Sequence, residues 1–311
     1  MTVNKHRQEF HGLPVFEFSG EADDAREQPA PGAVAWRIAV RYGSHTDFDA
    51  LWKAFLDRVD PAEVRAVLIG PWWTRDYDSV GDTLATIVRD AERLPALEAL
   101  FVADVTYDEC EISWLEMTEV TAVATAFPRL AELVVRGGNG LALTPFRHDR
   151  LKVLRFETGG LPSTVVRAVA GSELPALERL ELWLGVEEYG GDSTIDDLAP
   201  VLDGTRFPAL RHLGLANSEY QDEIAAAVAH APVVARLESL DLSMGVFSDE
   251  GAAALLEGQP LTHLRALDLH HHYLTDELQQ RLREALPGVE LDLSDAEDED
   301  DPQDRYVAVA E

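Results

Sequence analysis

Cysteine is almost missing from this sequence: Cys110 is the single thiol among 311 residues. One cysteine excludes a framework of intrachain disulfides and is typical of a reducing compartment, so we expect a cytoplasmic protein. Uninterrupted apolar runs of about 18 residues, which a membrane-spanning helix needs, are also missing. Residues 1–7 carry charge but no apolar stretch follows them, and we therefore expect no secretory signal.

Basic residues are scarce relative to acidic ones. The chain has 26 Lys and Arg residues against 57 Asp and Glu residues, for a formal net charge of −31. Nucleic-acid binding gains affinity when clustered Lys and Arg release counterions, and no such cluster is found here. An anionic membrane surface is disfavoured for the same reason. The charge instead favours a protein partner that is basic.

A repeat dominates the rest of the chain. The pattern L-x-x-L-x-L is clearest in Leu237–Leu242, where Leu240 and Leu242 share one side of a short strand and Asp241 points to the other. Copies of this core occur at Leu97–Val102, Leu130–Val135, Leu151–Phe156, Leu177–Leu182, Leu210–Leu215 and Leu264–Leu269, with a weaker copy at Val64–Ile69 and a truncated one at Val289–Leu293.

Each core is followed by a loop and by a helical pattern with a capping residue at its start. The predicted caps are Thr46, Ser79, Ser113 with Glu116 as a capping box, Ser163, Ser193, Ser248 and Thr275. A strand–loop–helix unit cannot bury its apolar faces alone. The sequence therefore predicts an α/β solenoid, curved, with parallel strands on the concave face and helices outside.

At these residues the chain resembles the leucine-rich repeat proteins of the ribonuclease-inhibitor-like class, because Ser248-Asp249-Glu250-Gly251-Ala252 matches the helical half of their repeat. The resemblance covers roughly residues 60 to 295. One departure is consistent: the asparagine expected after each strand is replaced, at Gly138, Gly159, Gly185, Ser218, Gly245 and His272. The buried backbone groups of these turns must find other partners. The whole chain is also similar to an uncharacterised bacterial leucine-rich repeat family.

Three regions follow from this pattern. Residues 1–60 are expected to form an N-terminal cap with a strand near Val34–Val40 and a helix carrying Phe48, Leu51 and Phe55. Residues 61–294 form the solenoid of about eight repeats. Residues 295–311 form an acidic tail. Its last part, Arg305–Val309, alternates apolar side chains, and either of two roles stays open: a strand added to a sheet edge of this chain, or one added to another chain.

Side chains that alternate with the core leucines must project from the concave face, and these are our candidate binding residues: Arg155, Glu181, Trp183, Asp241, Asp268, His270 and Asp292. In-register strands lie about 4.8 Å apart, so the three aspartates repel one another unless a cation or a basic partner relieves them.

Two hypotheses of function remain open. The first is a non-enzymatic protein-interaction scaffold that binds on the concave face without a cofactor or metal, since no catalytic residues emerge. Cys110 in particular is a poor nucleophile, because the carboxylates beside it raise the thiol pKa. The second is a metal-assisted enzyme, or an accessory protein of a biosynthetic set, that uses Asp241, Asp268 and His270.

Overall fold

Twelve strands form one open sheet in the computed structural model, which describes residues 4–21, 27–75, 77–297 and 304–311. Their order in the sheet is their order in the chain. The first pair is antiparallel and every later pair is parallel. The strands are β1 (Glu9–Phe10), β2 (Leu13–Glu17), β3 (Ala35–Ile38), β4 (Ala66–Ile69), β5 (Ala99–Val102), β6 (Glu132–Arg136), β7 (Val153–Glu157), β8 (Arg179–Gly185), β9 (His212–Ser218), β10 (Ser239–Asp241), β11 (Ala266–Asp268) and β12 (Glu290–Asp292).

From β3 onward a helix connects each strand to the next, except between β6 and β7, where the described residues 137–152 contain none. Most neighbouring helices pack together in a second layer. They are α1 (Phe48–Arg58), α2 (Gly81–Arg89), α3 (Thr121–Ala126), α4 (Ser163–Gly171), α5 (Ile195–Leu202), α6 (Gln221–Val228), α7 (Asp249–Glu257) and α8 (Asp276–Ala285). Short 3₁₀ helices lie at Pro61–Glu63, Ala91–Arg93, Ile112–Trp114, Glu187–Tyr189 and Pro232–Arg236. Within the described ranges, no helix has the length and apolar character that crossing a bilayer requires.

The register of the sheet confirms the repeat read from the sequence. Leu240 lies opposite Leu213 on one side and Leu267 on the other, and all three are buried. Such ladders of leucine pack with apolar helix residues, among them Ile87 and Val166, into one continuous core. The strand face, by which we mean the side of the sheet away from the helices, is therefore the side on which the alternating residues project.

The predicted helix starts are confirmed in part. Ser248 accepts a hydrogen bond from the Glu250 amide and caps α7, and Thr275 caps α8. The cap of α1 is Asp47 rather than Thr46, and Asp197 completes a capping box with Thr194 rather than with Ser193.

The capping box predicted at Ser113 and Glu116 is wrong. Only a 3₁₀ turn forms at Ile112–Trp114, and α3 begins later, at Thr121. The Ser113 hydroxyl instead donates a hydrogen bond to the carbonyl oxygen of Ala310, which is a contact over 197 residues of sequence.

The amino-terminal segment lies on the strand face of the early repeats. Phe10 packs its ring 5.9 Å from the ring of Phe101, in a second apolar cluster that is separate from the main core. His11 bonds Glu132 at 2.9 Å. This segment therefore covers the strand face over β4–β6. The strand residues of the second apolar cluster there include Ala66, Leu68, Ala99 and Val134.

The carboxyl-terminal residues 304–311 dock on the chain's own solenoid. Val307 and Val309 are buried while Tyr306 and Ala308 are exposed, which confirms the predicted alternation. The expectation of strand addition is corrected, because the segment pairs with no edge strand and instead crosses the turns at the carboxyl ends of several strands. Part of the acidic tail, residues 298–303, lies outside the described residues.

We expect Leu240→Ala to lower the free energy of unfolding by about 2–5 kcal/mol, because the side chain is buried and its removal leaves a cavity between two neighbouring leucines. Urea unfolding followed by circular dichroism measures the change. Leu256→Ala, at a half-buried position of the same repeat, is the matched control and should cost less. Equal midpoints for wild type and Leu240→Ala would contradict the register.

Candidate functional site

The strand face carries a central row of positions, one on each of the strands β7 to β12. The strand pairing places Arg155 opposite Glu181 and Asp241 opposite Asp268, which in turn lies opposite Asp292. Gly214 separates the two groups, between Glu181 and Asp241. The row therefore divides into a mixed-charge middle on β7 and β8 and an acidic end on β10–β12.

In the middle of the row, the negative charge is balanced by positively charged side chains of the same sheet. Glu181 forms ion pairs with Arg155 and Arg179, and its carboxylate also lies 3.2 Å from the His212 ring. Burial acts to raise the pKa of Glu181, but the His212 hydrogen bond and the charges of both arginines outweigh it and lower that pKa to about 2. Glu181 is thus held as a carboxylate, and each of its two oxygens lies in an ion pair with an arginine.

This packing corrects the expectation that the middle residues are open to a partner. Glu181 is 2% exposed and Trp183 is 3% exposed, and Trp183 belongs to the main apolar core. Arg155 keeps 16% of its side chain accessible, and its guanidinium faces Glu181 and Glu157. Charge pairing between adjacent strands draws Arg155 and Glu181 down onto the sheet, whereas Trp183 is buried by apolar packing.

A second charged cluster, whose residues are not among the predicted binding residues, lies beside the first. Glu157 is fully buried and forms ion pairs with Arg136 at 2.7 Å and with Arg7 at 2.8 Å. Burial opposes ionisation of Glu157, but the arginines lower its pKa. Arg7 comes from the amino-terminal segment, 150 residues away, so no local spacing signals the pair.

The acidic end of the row has a repeated local structure. Each aspartate Oδ1 accepts a hydrogen bond from the backbone amide two residues later and a second one from that residue's side chain: Asp241 with Ser243, Asp268 with His270, and Asp292 with Ser294. In the described part of the chain no hydrogen bond or ion pair reaches the three Oδ2 atoms. These oxygens are left to face solvent or a ligand.

The three aspartates differ in exposure and in pKa. Asp292 is exposed and its hydrogen bonds from Ser294 lower its pKa. Asp241 is half-buried, and its pKa is raised by burial and by the charge of Asp268 next to it. The hydrogen bond that the His270 ring donates to Asp268 raises the pKa of His270, against the effect of its burial. Repulsion between neighbouring carboxylates is thus evident at Asp241, where a nearby cation would relieve it.

The histidines separate into three roles. His270 points along the strand face to Asp268, and its Nε2 has no hydrogen-bond partner among the described residues. His271 contacts the carbonyl oxygen of Tyr306 at 3.0 Å. His272 replaces the expected turn asparagine, because its Nδ1 accepts from the Leu274 amide and its Nε2 lies 3.2 Å from the Leu293 carbonyl oxygen.

One group among the described residues brings three potential metal ligands close together. Potential ligand atoms of Asp268, His270 and Asp292 lie within 4.8 Å of one another. Asp241, which the metal hypothesis included, is not part of this group.

Cys110 is buried, and burial together with the charge of Glu111 raises its thiol pKa to about 11. The predicted direction of this shift is confirmed, and the thiol is protonated near neutral pH.

The buried ion pairs of Glu181 predict an acid-dependent loss of stability. Because the folded pKa is about 2 against an ordinary 4.5, the stabilisation is complete above pH 4.5 and is lost as the pH falls from there toward 2. We expect Glu181→Gln to be less stable than wild type at neutral pH but to lose less stability across that window. Urea unfolding at a series of pH values measures both slopes, with the exposed Glu257→Gln as control; identical slopes in wild type and Glu181→Gln would contradict the assignment.

Comparison with solved structures places this architecture among known proteins. A protein of Bacteroides fragilis is 30% identical in sequence, with a TM-score of 0.78, and the match covers 87% of this chain and 77% of that one. An internalin of Listeria monocytogenes matches at 14% identity and a TM-score of 0.38, over 86% of this chain and 73% of its own. A leucine-rich repeat protein of Leptospira interrogans matches at 11% identity and a TM-score of 0.20, over 84% and 90%.

No protein-family model matches the chain, and no curated protein matches it. The identity to the Bacteroides fragilis protein extends over most of both chains. The leucine ladders, the parallel sheet and the strand–loop–helix units agree with the repeat read from the sequence. The chain is a leucine-rich repeat protein and belongs to the same family as the Bacteroides fragilis protein.

Proposed function

We propose that the protein is a non-enzymatic interaction scaffold that binds a basic protein segment along the acidic end of its strand face. The observation that carries this proposal is the alignment of Asp241, Asp268 and Asp292 on three adjacent strands. Leucine-rich repeat folds offer an extended surface for protein partners, which supports the general role. The proposal includes a cytoplasmic location, supported by the single buried cysteine.

The electrostatics favour a cationic partner at this place. Like charges about one strand spacing apart destabilise a sheet, and in the middle of the row arginines relieve that repulsion. At the acidic end no arginine or lysine of the described chain pairs with the three carboxylates. Lysine or arginine side chains of a partner would supply the missing charge, and the net charge of −31 would accelerate the encounter.

Fewer residues are assigned to binding here than the sequence predicted. Arg155, Glu181 and Trp183 are packed into the face, so the residues we assign to binding are Asp268 and Asp292. Half-buried Asp241 lies beside Asp268 on the adjacent strand, and His270 is buried next to Asp268. A guanidinium would fit best between two neighbouring carboxylates, since its donors form a planar fork.

Neutralising the centre of the row tests the proposal. We expect Asp268→Asn to weaken a basic partner at low salt, and we expect the difference from wild type to shrink as salt rises, because exposed charges are screened. The free energy of unfolding should stay equal or rise slightly, since the substitution removes repulsion. A partner recovered by affinity purification from the native cell is titrated against both proteins at low and high salt.

Asp276→Asn is the matched control, because it removes the same charge from the same repeat but on the helix side. It should bind like wild type. Equal binding of wild type and Asp268→Asn at low salt would remove the acidic row from the interface.

A second candidate, a metal-assisted enzyme or accessory protein, is favoured by one observation. Asp268, His270 and Asp292 bring three potential ligand atoms within 4.8 Å. Under the scaffold proposal we expect no tight metal to remain after incubation with Zn²⁺ and desalting, as measured by elemental analysis. The reason is that Oδ1 of Asp268, Oδ1 of Asp292 and Nδ1 of His270 are already engaged in local hydrogen bonds, which a metal bound through these atoms would have to break. One bound equivalent in wild type that disappears in His270→Ala would instead support the metal hypothesis.

A further inference from the structure

A second surface lies at the carboxyl ends of the strands, which we call the turn edge: Ser113, Gly159, Asn217, Met244 and Tyr273. Residues 304–311 cross this edge against the order of the repeats, from Tyr273 after β11 to Ser113 after β5. Residues 305–311 belong to no helix or sheet strand, and from residue 306 to residue 309 exposed and buried side chains alternate, as in an extended chain. It is held in the manner in which a bound peptide is held.

The turn edge recognises the main chain of this segment. The Tyr273 hydroxyl accepts from the Tyr306 amide at 2.9 Å and donates to the Tyr306 carbonyl oxygen at 3.0 Å. The Ala308 amide donates to the Met244 carbonyl oxygen at 2.8 Å. Because these contacts involve backbone atoms, they depend on the extended conformation rather than on particular side chains.

Asn217 is built for the same task. It is fully buried with a φ of 56°, a conformation that asparagine tolerates better than most residues. Its side-chain amide accepts from the Val309 amide at 2.9 Å and donates to the Val309 carbonyl oxygen at 2.6 Å, as a neighbouring strand would. Without an occupant, the Asn217 amide would lose these two hydrogen bonds and would need water or another segment in their place.

Side-chain selection comes from alternate positions. Val307 and Val309 point inward and are buried, whereas Tyr306 and Ala308 point outward. Gly159 allows the Ala310 carbonyl group to approach its backbone, since a Cβ atom there would collide with that oxygen. After Ala310, the Tyr189 hydroxyl donates to the side-chain carboxylate of Glu311. The edge therefore fits an extended segment with small apolar residues at alternate positions, followed by an acidic residue.

We propose that the turn edge is a peptide-binding site that residues 304–311 occupy in cis, and that a partner protein carrying an extended segment of this pattern docks there by displacing them. Only two side chains of the resident segment are buried, so its hold is limited. A tethered occupant nevertheless competes strongly, because its effective concentration is about millimolar. This site is separate from the acidic row, and neither proposal depends on the other.

The experiment uses the full chain and a fluorescein-labelled octapeptide with the sequence of residues 304–311. Val307→Asp/Val309→Asp places charges where the edge buries valine and should release the resident segment. Fluorescence anisotropy should show that the peptide binds this variant about tenfold or more tightly than it binds wild type, in which the edge is filled. A peptide carrying the same two aspartates should bind neither protein.

Two further substitutions, each added to the Val307→Asp/Val309→Asp variant (the released chain), test whether the peptide binds at the turn edge. Gly159→Ala fills the space that the Ala310 carbonyl needs and should abolish peptide binding, whereas Gly81→Ala, whose nearest neighbour would be 3.5 Å away, should leave it unchanged. Circular dichroism melting verifies that each protein is folded. Absence of binding to the folded released chain would overturn the proposal, as would equal binding to the released chain and wild type, or unchanged binding after Gly159→Ala.

Discussion

Stacking of units that cannot bury their leucines alone is the constraint on which this structure depends. A single strand–loop–helix unit exposes an apolar side, and only an in-register neighbour covers it. Leu213, Leu240 and Leu267 form such a ladder, and their register brings every other residue of the strands into register as well. Equivalent positions are therefore forced to within about 4.8 Å of one another, whatever side chains they carry.

Because of that proximity, charged side chains on adjacent strands of the strand face repel or attract one another strongly. The side chains that balance these charges differ along the length of the chain. At the amino-terminal end the face is apolar and a folded-back segment covers it, with Phe10 on Phe101. In the middle, Glu157 and Glu181 alternate with arginines in buried ion pairs. Such pairs stabilise only when both members stay charged and bonded, which agrees with the low pKa of Glu181. At the carboxyl-terminal end the acidic row has no such partner in the described chain.

The turns pose a different problem, since the asparagine that would satisfy their backbone is replaced in every repeat. His272 bonds a neighbouring amide with its ring. In other repeats small residues such as Gly159 leave room for residues 304–311, whose main chain bonds Asn217 and the Ser113 hydroxyl. The loss of the turn asparagines and the presence of a docked segment are thus linked features of one surface.

The repeat, the strand register, the caps at Ser248 and Thr275 and the acidic row follow from the sequence by itself, because they depend on periodicity and on contacts between neighbouring repeats. The sequence also predicted the alternation of Val307 and Val309, but it did not predict the surface on which residues 304–311 dock. Only the tertiary structure decided that Glu181 and Trp183 are packed away, that Arg7 neutralises Glu157, and that Ser113 holds Ala310 instead of capping a helix. These contacts join residues more than a hundred positions apart or depend on how closely two strands approach. A local sequence pattern does not predict which distant group will pair with a buried charge or bond a free carbonyl oxygen.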